Sequence, residues 1–186
     1  MGRAFEVRKV AMGKTAAAKS KVYAKFGREI YVAAKAGVPD PDMNAALKRV
    51  IEKAKREQVT ADVISRAIEK AKGGSDDSYA TARYEGFGPG TSQLVVECLT
   101  DNVNRTIAEV RTCFNKTGGK LGSVLHMFEQ KAVFTFTGLT EDEVAWLPLA
   151  KSALTDEKEK EQFERLINML EELDDVQKVY HNIELE

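Results

Sequence analysis
The residues of this 186-residue chain that could do chemistry are two cysteines, two histidines, a glycine-proline turn, and a concentration of lysine and arginine in the N-terminal part. Cys98 and Cys113 have no metal-ligand spacing, and each sits among apolar residues, so they read as reduced core thiols. His126 and His181 lie far apart in different segments and read as structural or surface histidines. Ser123, Cys113 and the histidines form no nucleophile motif. No catalytic residue, metal site or cofactor is expected, and the chain reads as a binding protein rather than an enzyme.

The most informative stretch for binding runs from Arg83 to Arg111. The segment Tyr84-Glu85-Gly86-Phe87-Gly88-Pro89-Gly90 precedes a strand rather than opening a helix from one, so it is no dinucleotide fingerprint, and the chain has no P-loop. Three glycines in five residues cost more backbone entropy than a simple strand connection requires. The turn is therefore expected to be a contact surface with Phe87 as its exposed anchor; the alternative is a Phe87 that packs into the core. Leu94, Val95, Val96 and Leu99 predict a buried strand within residues 91–100. Val103, Ile107, Val110 and Phe114 then recur at helical spacing behind capping residues, which places Arg105 and Arg111 on or beside an exposed helical face.

The formal net charge of -1 conceals two opposed halves. Residues 1–72 hold 17 Lys and Arg against 8 Asp and Glu, a net of +9, and the remainder hold 11 against 21, a net of -10. Up to residue 28, Arg3, Arg8, Lys9, Lys14, Lys19, Lys21, Lys25 and Arg28 face only Glu6. Such a run attracts a phosphate backbone with a salt-sensitive, sequence-independent affinity; the plainer alternative is a solvated arm that aids solubility. The candidate nucleic-acid-binding residues are Arg8, Lys9, Lys14, Lys19, Lys21, Lys25 and Arg28, joined by Arg105 and Arg111. The acidic residues between 156 and 175 read as a solvated helix face, or as an internal or intermolecular partner for the basic half.

These residues need elements to hold them. Hydrophobic periodicity predicts helices over residues 16–36, from Asp40-Pro41 through Ala54, and from Thr60 to Ala71, packed as a three-helix unit. Gly73-Gly74-Ser75-Asp76-Asp77-Ser78 is the expected boundary. Beyond it, strands are predicted at 80–84, 93–100, 124–129 and 132–137, then an acidic helix over 155–173 and a last strand over 176–183. The fold class is α+β: an N-terminal three-helix domain followed by a discontinuous α/β sandwich domain. The expected parts are a basic arm at 1–20, the three-helix domain at 21–74, and the sandwich domain from 79–138 plus 152–186. With 43% hydrophobic and 31% charged residues the chain reads as a soluble globular protein. It has no membrane-length apolar run and no signal-peptide pattern, so a cytoplasmic location is expected.

The stretch Tyr84 to Gly90, followed by Glu97-Cys98-Leu99-Thr100-Asp101-Asn102-Val103-Asn104-Arg105-Thr106 and Ala108-Glu109-Val110-Arg111, resembles the signature of the YebC/PmpR family. Lys21-Val22-Tyr23-Ala24-Lys25-Phe26, Phe114-Asn115-Lys116 and Asp174 to Asn182 are similar to it too, and the N-terminus is closest to the family's shorter YeeN-like subgroup. The resemblance implies a cytoplasmic DNA-binding transcriptional regulator; for some members it implies instead a factor acting in translation on the ribosome, which would bind structured RNA. Nucleic acid, as DNA or as ribosomal RNA, is the partner so implied, with no membrane. Family members normally carry several dozen more residues after the strand ending near Gly138, forming a further small α/β domain. Residues 139–151 therefore read as its remnant or junction, with that domain either deleted or left out of the 186 residues. The second is favoured, because a trimmed Leu121-Gly122-Ser123-Val124 passage makes a second break at an expected loop.

Overall fold
A computed structural model describes the backbone of residues 3–73, 78–136 and 140–184, and side chains of these except at 3–17 and 134–143. The chain divides into two compact units, Met1–Tyr79 and Ala80–Glu186.

The first unit holds α1 (Arg3–Lys35), α2 (Ala45–Arg56) and α3 (Ala61–Lys72). Its core follows the helical spacing of the sequence: Phe26, Ile30 and Ala34 on α1, Leu47, Ile51 and Ala54 on α2, Ile64, Ala67 and Ala71 on α3. α1 begins well before residue 16, where periodicity placed it. The start of α2 corrects the expectation of a helix beginning at Asp40-Pro41. Residues 40–43 form a turn in which the Asp40 carboxylate accepts from the Asp42 amide at 2.9 Å. The helix is capped instead by Asn44, whose Oδ1 accepts from Leu47 N at 3.0 Å. The Asn44 amide also donates to Ala33 O and Val38 O at 2.9 and 3.0 Å, tying the end of α1 to the start of α2. Asp40 offers no such second tie.

The second unit is built on an antiparallel sheet in the order β3-β1-β2-β6, with β1 Ala80–Phe87, β2 Gln93–Thr100, β3 Lys120–Leu121 and β6 Val176–His181. β6 returns from the C-terminus to pair with β2, Leu94 opposite His181 and Val96 opposite Val179. On one face, α4 (Val103–Lys116) and α5 (Glu157–Glu171) bury Val110, Cys113, Phe114, Phe163, Leu166 and Leu170 against Leu94, Val96, Cys98 and Val176. On the other face, Val95 meets Val124 and Phe128, with Phe87, Trp146 and Tyr180 packed around them. β2 is thus buried on both faces, which explains its continuous apolar run.

The expected strands at 124–129 and 132–137 are corrected. Leu125–Met127 forms a single 3₁₀ turn, and one long strand, β4 (Phe128–Phe136), follows. It pairs with β5 (Thr140–Pro148) from Phe128 opposite Pro148 to Phe136 opposite Thr140. Two amides at the 3₁₀ turn, Val124 N and Leu125 N, are held by the Glu85 carboxylate at 2.9 and 2.8 Å, a long-range bond that local pattern does not reveal. Most of the residues assigned to a junction, 140–148, thus lie in β5; Thr137 and Gly138 of the expected strand end, and residues 74–77 of the expected boundary, lie outside the described residues.

Candidate nucleic-acid interface
α1 carries the basic residues along its length. Lys21, Lys25 and Arg28, spaced four and three apart, share one face, and Lys35 lies one heptad beyond Arg28 on the same stripe. Lys19 is exposed on a different face. Arg8, Lys9 and Lys14 fall within the α1 backbone, and their side chains lie outside the described residues. Basic residues also occupy the last turns of α2 (Lys53, Lys55, Arg56) and α3 (Lys70, Lys72), where they suit the negative ends of the helix dipoles as well as any external phosphate.

Between α1 and α3 these cations meet aromatic rings. Tyr31 and Tyr79 pack edge to face with centroids 5.6 Å apart. The Arg28 guanidinium lies 5.8 Å from the Tyr79 centroid, and Lys70 Nζ lies 5.5 Å from that of Tyr31. An open cleft of about 330 Å³ runs beside them, lined by Gly27, Arg28, Tyr31, Arg66, Lys70 and Tyr79, with Ala24, Val63 and Ala67 as its apolar floor. Sequence reading singled out Arg28 but missed Tyr31, Arg66, Lys70 and Tyr79. The available signal was the Arg28, Tyr31, Lys35 succession, aromatic and basic residues interleaved at helical spacing; Tyr79 comes from beyond the expected boundary and carries no local cue.

Arg105 is engaged inside the second unit. Its guanidinium lies 2.7 Å from both Asp101 and Asp175, and hydrogen bonds to Asp175 and Asp101 raise its pKa beyond the ordinary arginine range. Asp175 is buried, and it also accepts from the hydroxyls of Thr100 and Thr106 at 3.0 and 2.8 Å. A buried carboxylate needs such compensation, so Arg105 joins the end of β2, the start of α4 and the approach to β6. This arrangement uses its charge internally. Arg111, six residues along α4, is exposed and makes no ion pair among the described residues.

The glycine-proline turn is accounted for by packing within its unit. Gly86, Gly88 and Pro89 are buried. A Cβ on Gly86 would meet the Phe114 ring at 2.5 Å and the Lys120 carbonyl at 2.8 Å; one on Gly88 would meet Ser92 Oγ at 2.4 Å. Gly90 takes a φ of +59° with Glu159 and Leu154 close against it. The expectation of Phe87 as an exposed anchor is corrected: it is half-buried against the Val95, Val124 and Phe128 cluster. Glycine spacing does not distinguish a backbone that approaches a partner from one that approaches its own neighbours. Tyr84 is drawn in likewise, its hydroxyl donating to Val103 O at 3.4 Å while burial raises its pKa.

Both cysteines are buried and neither is in a disulfide, and burial pushes the Cys113 thiol pKa up. His126 is exposed, whereas His181 stacks edge-on against Phe163. No group of three or more His, Cys, Asp or Glu side chains is placed to hold a metal among the described residues, and no described helix is long and apolar enough to cross a membrane.

Residues 3–74 match the family model for the TACO1/YebC protein N-terminal domain, and residues 79–145 and 137–183 match that for the TACO1/YebC second and third domain. The two pieces of the second match overlap over residues 137–145. A protein of Acholeplasma laidlawii named a probable transcriptional regulatory protein is 49% identical, with 98% of each chain covered. One of Alteromonas mediterranea, similarly named, is 44% identical with the same coverage. The first alignment runs over 234 positions against the 186 residues here, so at least 48 of them face no residue of this chain. A crystal structure of a conserved hypothetical protein, Aq1575 from Aquifex aeolicus, shares the fold with a TM-score of 0.78 and 29% identity, over 89% of this chain and 90% of that one.

Proposed function
Because the chain belongs to the TACO1/YebC family, with relatives named as probable transcriptional regulators, we propose that it is a nucleic-acid-binding regulatory protein whose first unit holds the phosphate backbone. The observation that carries this reading is the net of +9 over residues 1–72, against -10 over the rest, with Lys21, Lys25 and Arg28 aligned along one helix. Phosphate contacts of this kind give affinity and orientation; base-specific readout needs further contacts. Arg111 is available to add a contact from the second unit, and Arg105, though paired with Asp101 and Asp175, keeps a partly exposed guanidinium that can add another.

The test is a salt series of binding to duplex DNA and to structured RNA. Changing Lys19, Lys21, Lys25 and Arg28 to Glu should weaken both affinities and flatten the dependence of log affinity on log salt, by about 0.9 for each duplex-DNA phosphate that is no longer neutralised. An unchanged slope in a variant that still melts cooperatively rejects the phosphate-binding role. Tighter binding to duplex DNA supports the transcriptional reading, and tighter binding to structured or ribosomal RNA supports action in translation.

A further inference from the structure
We propose that the cleft between α1 and α3 is a seat for one unpaired nucleotide of a single-stranded or looped nucleic acid. The base would lie on Tyr79 beside Arg28, over the backbone at Gly27, with its phosphate held by Arg66 and Lys70. This deepens the nucleic-acid reading and rests on it.

Two independent observations carry it. The first is the lining: three cations and two tyrosines surround an apolar floor in one open cleft of about 330 Å³. Buried Tyr31 supports the half-buried Tyr79 edge-on, and the Arg28 guanidinium lies over the Tyr79 ring, 5.8 Å from its centroid, so that ring and guanidinium together form one platform. A planar cation beside an aromatic ring is the usual surface on which an unstacked base settles without regard to sequence. Arg66 pairs with Asp62, one turn earlier on α3, but both side chains are largely exposed. Such a surface pair contributes little, so a phosphate can displace the carboxylate.

The second observation is Gly27. It stands in the interior of a 33-residue helix, where glycine is among the poorest helix formers. A Cβ built on it meets nothing within 4 Å, and its φ is not in the left-handed region. Packing among the described residues therefore gives no reason for glycine here, unlike Gly86 or Gly88. Gly27 lines the cleft, so the missing side chain leaves room for something from outside to approach the helix backbone.

The reading makes stability and binding move in opposite directions. In the full chain, Gly27→Ala should raise the melting temperature yet weaken binding of a short single-stranded RNA or DNA oligonucleotide by about fivefold or more, as the loss of base stacking does. Binding of the matching blunt duplex, which offers no splayed base, should be unchanged. Tyr79→Leu should show the same selective loss. Fluorescence anisotropy on the labelled oligonucleotides reads both. If Gly27→Ala lowers the melting temperature, the glycine serves the fold and the proposal fails. If the parent binds duplex and single strand and neither variant changes the single-strand affinity, the cleft is not the seat although the nucleic-acid reading stands. A parent that binds neither strand form overturns both.

Discussion

At the scale of single residues, charge and burial divide the titratable groups into those the fold consumes and those it leaves available. Arg105 offsets the buried Asp175, so removing it exposes a desolvation cost. His181 is the group whose protonation the fold opposes. Its pKa lies below the ordinary 6.5, chiefly through burial, with the Ile183 backbone and Glu171 pulling weakly the other way. One ring nitrogen, Nδ1, is buried without a hydrogen-bond partner. Between the folded-state value and 6.5 the unfolded chain binds more protons than the folded one. Stability should hold its full level above 6.5, fall as pH drops below it, and level off once the pH passes the folded-state value. His181→Gln should flatten this fall, as read by denaturant midpoints from about pH 7.5 to about pH 5. An unchanged pH profile would show that His181 is not its source.

At the scale of elements, the connection from β1 to β2 shows how a turn can look like a contact surface and serve the core. Gly88 N donates to Ser92 O at 2.9 Å and Ser92 Oγ to Pro89 O at 2.7 Å, closing a tight loop over the start of β2. Gly86 sits against the Phe114 ring of α4 and the β3 backbone, so the glycine lets helix and sheet approach. Gly86→Ala should destabilise the protein by about 1–3 kcal/mol, as overpacking a filled site does. A calorimetric melting temperature equal to that of the parent would contradict this. α2 ends in a comparable economy of backbone bonds: Gln58 takes a φ of 59°, Gln58 N bonds Lys55 O and Val59 N bonds Ala54 O, a Schellman closure without glycine.

At the scale of the whole molecule, two units with separate cores carry opposite charge. If the first holds the phosphates, a fragment of residues 1–79 should retain the salt-dependent part of nucleic-acid affinity, and residues 80–186 should lose it. The α1–α3 and α1–α2 packing lies wholly within the first fragment, and the β1–β2–β6 sheet wholly within the second. Circular dichroism of each fragment checks folding and titration in a salt series checks binding. Equal salt slopes in the two fragments would argue against the division of labour.

What the sequence determined by itself is whatever a local period or a composition encodes. The three helices, the doubly buried β2, the amphipathic α4 and α5 and the reversal of charge near residue 73 follow from spacing and count, because burying one face imposes a period of 3.6 or 2. Tertiary structure decided what depends on a partner distant in the chain. It assigned Arg105 to Asp175, 70 residues away, packed Gly86 and Gly88 against the unit's own atoms, and gave the cap of α2 to Asn44, whose amide also ties back to α1. It also brought Tyr79 beside Arg28 and Tyr31. An arginine, a glycine or a tyrosine has the same local signature whether its complement is inside the molecule or outside it. Only the three-dimensional arrangement separates Gly86, filled by the chain's own atoms, from Gly27, which faces open space.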